Sequence, residues 1–151
     1  MTVREKLAEL GITLPAASAP MASYVPVVVA GNLAFVSGQI ARKGDHVIFK
    51  GKLGDAISVD QGAQCARETA LTALAALEAE GLLDRVERVV KVTGYVASTP
   101  TFADHSKVVN GASDLLVQIF GDAGKHARTS VGVAGLPLGA PVEVDFVFEI
   151  R

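Results

Sequence analysis

The sharpest pattern in the chain is near its end. Val142, Val144, Phe146, Phe148 and Ile150 alternate with Glu143, Asp145, Val147 and Glu149. A period of two places alternate side chains on opposite faces of a strand. The first set should meet a core, and the second solvent or a neighbouring subunit. Residues 25–30 are Val-rich and read as a strand, with Pro26 near its start, where a missing N–H is tolerated. Gly31-Asn32 forms a tight turn into a second strand over 33–40, giving a hairpin. Gly38 interrupts that strand, which marks a bulge or a close backbone approach. Residues 42–52 form a polar connection with room for a short strand at 47–49. Strands are also expected over 86–97, 127–133 and 142–150, the last two joined by a turn holding Pro137, Gly139 and Pro141.

Three segments carry helical periodicity. Residues 2–10 place Val3, Leu7 and Leu10 on one face; Thr2 and Glu5 form a capping box, and Gly11 ends the helix. A Pro- and Ala-rich loop follows over 12–23. Residues 60–80 repeat Ala63, Ala66, Ala70, Leu74 and Leu77 at three- and four-residue spacing, with Asp60 as the cap and Gly81 as the stop. The many alanines suit close packing on a sheet. Residues 102–120 turn Leu115, Leu116, Ile119 and Phe120 inward and stop at Gly121 and Gly124. The predicted architecture is α+β, a single domain over residues 1–151. Two layers are expected: a mixed sheet of about six strands, covered on one face by two long helices.

Composition narrows the classes. Hydrophobic residues make up 50% and charged residues 20%, enough apolar material for a core and too much for disorder. The formal net charge is -2, and the basic residues (Arg42, Lys43, Lys50, Lys52, Arg85, Arg88) are scattered. That argues against a nucleic-acid footprint, which needs clustered cations. The single cysteine, Cys65, makes no internal disulfide and lies in an Ala-rich helical run, where it reads as a small buried hydrophobe. Charges at Arg4, Glu5, Lys6 and Glu9 rule out a signal-peptide core, and no apolar run approaches the ~20 residues of a membrane span. A cytoplasmic protein with no membrane partner is expected.

Arg128 and Glu143 are the strongest candidates for chemistry. Each lies on a late strand, and if those strands pair, the two side chains can meet on the polar face. A guanidinium grips carboxylates in a bidentate fork, and a carboxylate beside it can hold or activate water. An exposed cross-strand salt bridge fits the same pattern. His46, His105 and His126 share no metal-ligand spacing, so no metal is expected. Structural or surface roles suit them, His126 having a further interest as a same-face neighbour of Arg128. Asp104 and His105 lack a nucleophile elbow. The Gly121 to Gly124 stretch lacks the Lys-Ser/Thr of a phosphate loop and follows a helix.

At this point the sequence resembles a known family. The run HARTSVGVAGLPLGAPVEVDFVFEI looks like the C-terminal signature of the Rid/YjgF (endoribonuclease L-PSP) imine deaminases, with Arg128, Leu136, Pro137 and Glu143 at the matching positions. The run NLAFVSGQIA is similar to the family's second strand, with Ser37, Gly38 and Gln39. Tyr24 and Asn110 stand where the family has site residues. The resemblance covers almost the whole chain. It implies a chorismate-mutase-like homotrimer with clefts between subunits, hydrolysing small 2-imino or enamino acids to 2-keto acids and ammonia without a cofactor. By the same resemblance Arg128 binds the substrate carboxylate and Glu143 handles the attacking water. Tyr24, Ser37, Gly38, Asn110 and Ser130 line the pocket.

There are departures. Tyr24 is followed by Val25-Pro26 where the deaminases usually have Ser-Gln. Ser130 replaces a frequent Cys. The 100–109 segment and the N-terminal helix resemble those of a longer, divergent branch. A non-catalytic trimer that binds a small carboxylate metabolite or a regulatory partner is therefore the alternative. A ribonuclease, a name attached to the family, is a third reading that the charge disfavours.

Overall fold

The computed structural model describes residues 1–17, 19 and 22–151; Ser18, Pro20 and Met21, in the expected loop, lie outside it. Helix α1 (Val3–Glu9) has the expected capping box, with Thr2 accepting from the Glu5 N–H and Glu5 accepting from the Thr2 N–H. Strands β1 (Val27–Ala30) and β2 (Leu33–Ile40) form the hairpin, turning at Gly31 with φ +60°. A small separate hairpin follows, β3 (Arg42–Lys43) with β4 (His46–Val47). Then come α2 (Val59–Ala79), β5 (Val86–Ala97), α3 (His105–Phe120), β6 (Ala127–Val133) and β7 (Val142–Ile150). The cap of α2 is Ser58, paired with Gln61 in a second capping box, and not Asp60. Helix α3 starts three residues later than the periodicity suggested.

The main sheet has five strands in the order β1-β2-β7-β5-β6. The expected sixth strand is the separate β3–β4 hairpin, too short to join the ladder. All neighbours are antiparallel except β5 and β6, which run parallel. A parallel neighbour needs a crossover of a dozen residues or more, and α3 is that crossover. Consequently β5 lies between β6 and β7, although only a short turn separates those two in sequence.

Helices α2 and α3 cover one face. The inward residues of β7 (Val142, Val144, Phe146, Phe148 and Ile150) are all buried, as the alternation required. They meet Leu74 and Leu77 of α2 and Leu116 of α3 in one hydrophobic cluster. Cys65 is fully buried there, and burial pushes its thiol up to about 11. The two helices approach closely at Gly111, where a Cβ would overlap the Ala63 backbone oxygen.

The other face is left open. It carries Phe35 from β2, Glu143, Asp145 and Val147 from β7, Lys91, Thr93 and Tyr95 from β5, and Thr129 and Val131 from β6. Phe35 stands opposite Val147 and is 43% exposed.

Candidate functional site

The open face ends in a cavity. Strand β2 shifts register between Val36 and Gln39, a bulge centred on Ser37 and Gly38. Past the bulge, Ile40 pairs with Glu143 and shares its face. Ala41 turns into the core, so Arg42 returns to the side of Ile40. Tyr24, Ser37, Gly38, Ile40, Arg42, Pro137 and Glu143 enclose a cavity of about 400 Å³.

Each wall residue has a physical reason to be there. A Cβ on Gly38 would overlap Glu143 Oε2, so glycine is the residue that admits the carboxylate. Ser37 Oγ donates to the Val25 carbonyl at 2.7 Å, and the Ser37 N–H donates to the Pro26 carbonyl at 2.9 Å. These bonds tie the segment after Tyr24 to the bulge, and Tyr24 itself is exposed at the cavity mouth. Burial and the neighbouring Asp145 raise Glu143 above the usual carboxylate range. Asp145 is raised too, chiefly by burial, while the Tyr95 hydroxyl donates to it at 3.2 Å.

Arg128 is elsewhere. It pairs in register with Val92, whose side faces the helices. The expected cross-strand meeting of Arg128 and Glu143 within one chain is therefore wrong: β5 intervenes, and the two side chains lie on opposite faces. Arg128 Nη1 donates to Asn110 Oδ1 at 2.7 Å and to Ser113 Oγ at 3.1 Å, and Nη2 reaches the Ser106 carbonyl at 3.4 Å. All three acceptors are neutral. They fix the guanidinium in place and leave its charge uncompensated by them. Ser130, two residues along on the same face, has a buried hydroxyl without a partner among the described residues.

Two supporting serines, Ser113 and Ser98, gave no signal in the sequence. Ser113 is shared between Arg128 and His126 Nε2, at 2.8 Å from the latter, and His126 Nδ1 lies 2.6 Å from the Gly124 carbonyl. Burial lowers the His126 pKa, the nearby Arg128 charge adding to the effect. A neutral ring suits that contact. Further along β6, His105 Nε2 is 3.2 Å from Ser98 Oγ over Gly132, where a Cβ would come within 2.7 Å of the ring nitrogen. Ser98, His105 and Gly132 line a shallow cleft of about 300 Å³ at the α3–β6 edge.

The predicted site residues thus form two groups. Tyr24, Ser37, Gly38 and Glu143 meet at one end of the open face. Arg128, Asn110 and Ser130 meet under α3 at the edge strand β6. Among the described residues no group of three or more His, Cys, Asp or Glu is placed to hold a metal.

Residues 4–150 match the model of the family described as "YjgF/chorismate_mutase-like, putative endoribonuclease". The chain belongs to this family. Protein TCP17 of Trypanosoma cruzi is 46% identical over 151 residues, spanning 99% of this chain and 94% of TCP17. The crystal structure of protein Atu1372 from Agrobacterium tumefaciens superposes with a TM-score of 0.89 at 40% identity, covering 99% of this chain and 92% of Atu1372. The Escherichia coli YjgF gene product gives a TM-score of 0.63 at 27% identity, covering 89% of this chain and 94% of its own. Within the YjgF family the chain is thus nearer in shape to Atu1372 than to the E. coli protein. No helix among the described residues is long and apolar enough to cross a membrane.

Proposed function

We propose that the protein hydrolyses small 2-imino acids to 2-keto acids and ammonia, in clefts completed between copies of the chain. The observation that carries this reading is the division of the site. One end of the sheet has a half-buried carboxylate in an open cavity, and the far edge has a guanidinium held by three neutral acceptors. A homotrimer closing edge to face would bring one chain's Arg128 to its neighbour's Glu143.

In that cleft the Arg128 fork holds the substrate carboxylate, and Glu143 takes a proton from water as its oxygen attacks the imine carbon. The proton passes to nitrogen, giving a carbinolamine; Glu143 then takes the hydroxyl proton and returns it to nitrogen as the C=O bond forms and the C–N bond breaks, releasing the keto acid and ammonia. A raised Glu143 pKa makes it a better proton acceptor near neutral pH. The imine carbon is already electrophilic, so no cofactor is called for.

The test is ammonia release from freshly generated 2-iminopropanoate. Wild type should exceed buffer, and Arg128→Ala and Glu143→Gln should each lower the rate about 100-fold or more. A wild-type rate equal to buffer sinks the proposal. The Val25-Pro26 sequence after Tyr24 favours the second reading, a trimer that binds small carboxylates without turnover. Saturable binding of 2-keto acids with no ammonia release would select it. Against RNA cleavage stands the net charge of -2.

A further inference from the structure

We infer that the groove between helices α2 and α3 is a second binding site, taking an aliphatic α-amino acid whose carboxylate meets Arg67 and whose ammonium meets Asp114. It lies on the helix layer, away from the Glu143 cavity, and does not depend on the function proposed above.

Three observations carry it. First, helical period builds the groove. Asp60, Ala63 and Arg67 follow one another at three- and four-residue steps along α2, and Gly111 is followed at the same steps by Asp114 and Leu115 on α3. Each helix thus turns one row of side chains to its neighbour. The rows come together where Gly111 lies against the Ala63 backbone, and they enclose a groove of about 430 Å³. Second, the cation of this groove is unpaired. Arg67 Nη1 is buried without a partner among the described residues. Asp60 and Asp114 line the same groove, yet neither forms an ion pair with Arg67. Buried polar atoms are normally hydrogen-bonded, and leaving a charged donor alone is costly. Only Nη1 of this guanidinium is both buried and unpartnered, so Nε and Nη2 form the open edge of the fork. Third, the floor is apolar: Leu115 is 3% exposed and lies there with Ala63 and Gly111.

Opposite charges that line one groove without joining suit a ligand that carries both. Asp60 is seven residues from Arg67 on the same helix, about 10 Å along its axis, too far to share one α-amino acid with it. Asp114 is on the other wall and supplies the counter-charge. The Nε–Nη2 edge takes the carboxylate in bidentate fashion, and Asp114 accepts from the ammonium. The aliphatic side chain then rests on Leu115. A simple acid would leave Asp114 without its partner, and a simple amine would leave Arg67 without one, so each alone should bind more weakly.

Calorimetric titration of the full chain tests this with three probes. L-Leucine carries both charges, 4-methylpentanoate lacks the ammonium, and 3-methylbutan-1-amine lacks the carboxylate. The wild type should bind leucine about tenfold or more tightly than either analogue. Arg67→Met and Asp114→Asn should each weaken leucine binding about tenfold while melting as the wild type does. Arg128→Ala should leave it unchanged, because that guanidinium belongs to the other site. No saturable binding of leucine to the wild type, or an analogue that binds as well as leucine, overturns the inference. So does leucine binding that survives Arg67→Met or is lost in Arg128→Ala, the last result placing the amino acid in the cleft proposed for hydrolysis.

Discussion

Glu143 and Asp145 stand two residues apart on the open face, and both bind protons more tightly in the folded chain than ordinary carboxylates do. Burial is the main cause for each. The sign of the linkage follows. Between the usual carboxylate range and the raised folded values, the native state holds more protons than the unfolded one, so stability falls as pH rises through that window. Asp145→Asn removes one of these groups and relieves Glu143 of a like charge that raises it. Thermal melts from pH 4 to 7 should show a shallower decline in the variant, and the acidic limb of ammonia release should move to lower pH. An unchanged limb would mean that Glu143 does not set it. At this scale the sequence was informative about identity and poor about partners. The interruption of β2 at Gly38 was legible as a bulge, and the structure has one there. The place of Arg42 in the cavity wall was not legible, because it follows from Ala41 being buried, and an Ala beside an Arg gives no periodic signal.

At the scale of elements, the α2–α3 crossing depends on Gly111. Replacing an exposed mid-helix glycine with alanine ordinarily stabilises a helix by about 1 kcal/mol. Here the added methyl would overlap the Ala63 backbone oxygen, which cannot swing aside as a side chain could. Gly111→Ala should therefore destabilise the fold by about 1–3 kcal/mol, read as a lower urea midpoint at constant slope. A gain in stability would show that the helices separate at little cost. The elements themselves were largely legible. Strict alternation fixed β7, alanine spacing fixed α2, and the Thr2 to Glu5 box fixed α1. The pairing of strands was not. The short turn between β6 and β7 suggested a hairpin, whereas the decisive connection is α3, which carries the chain across the sheet to lay β6 beside β5 in parallel. Local turn chemistry cannot outweigh a crossover that buries Val108, Val109, Leu115 and Leu116. The error over β6 was also the error over Arg128, since its register beside β5 pairs it with buried Val92 on the helix-covered face. The same misreading left the support from Ser113 unseen, whereas His126 was marked by sharing a strand face with Arg128.

At the scale of the whole molecule, the open face exposes Phe35 at 43%, Val28 at 53% and Val131 at 39%. A trimer would cover it, giving a species three times the 15.6 kDa of the chain by light scattering. The division of the site has a sharper consequence for such an assembly. Chains with Arg128→Ala are damaged at one end of the sheet and chains with Glu143→Gln at the other, so each kind is dead alone. Mixed in equal amounts, unfolded and reassembled together, they should regain about a quarter of the wild-type rate, because one junction in four would join two intact ends. No recovery would place the whole reaction inside single chains. Two broken proteins that mend each other would show that the working unit is the seam between subunits, which no chain owns by itself.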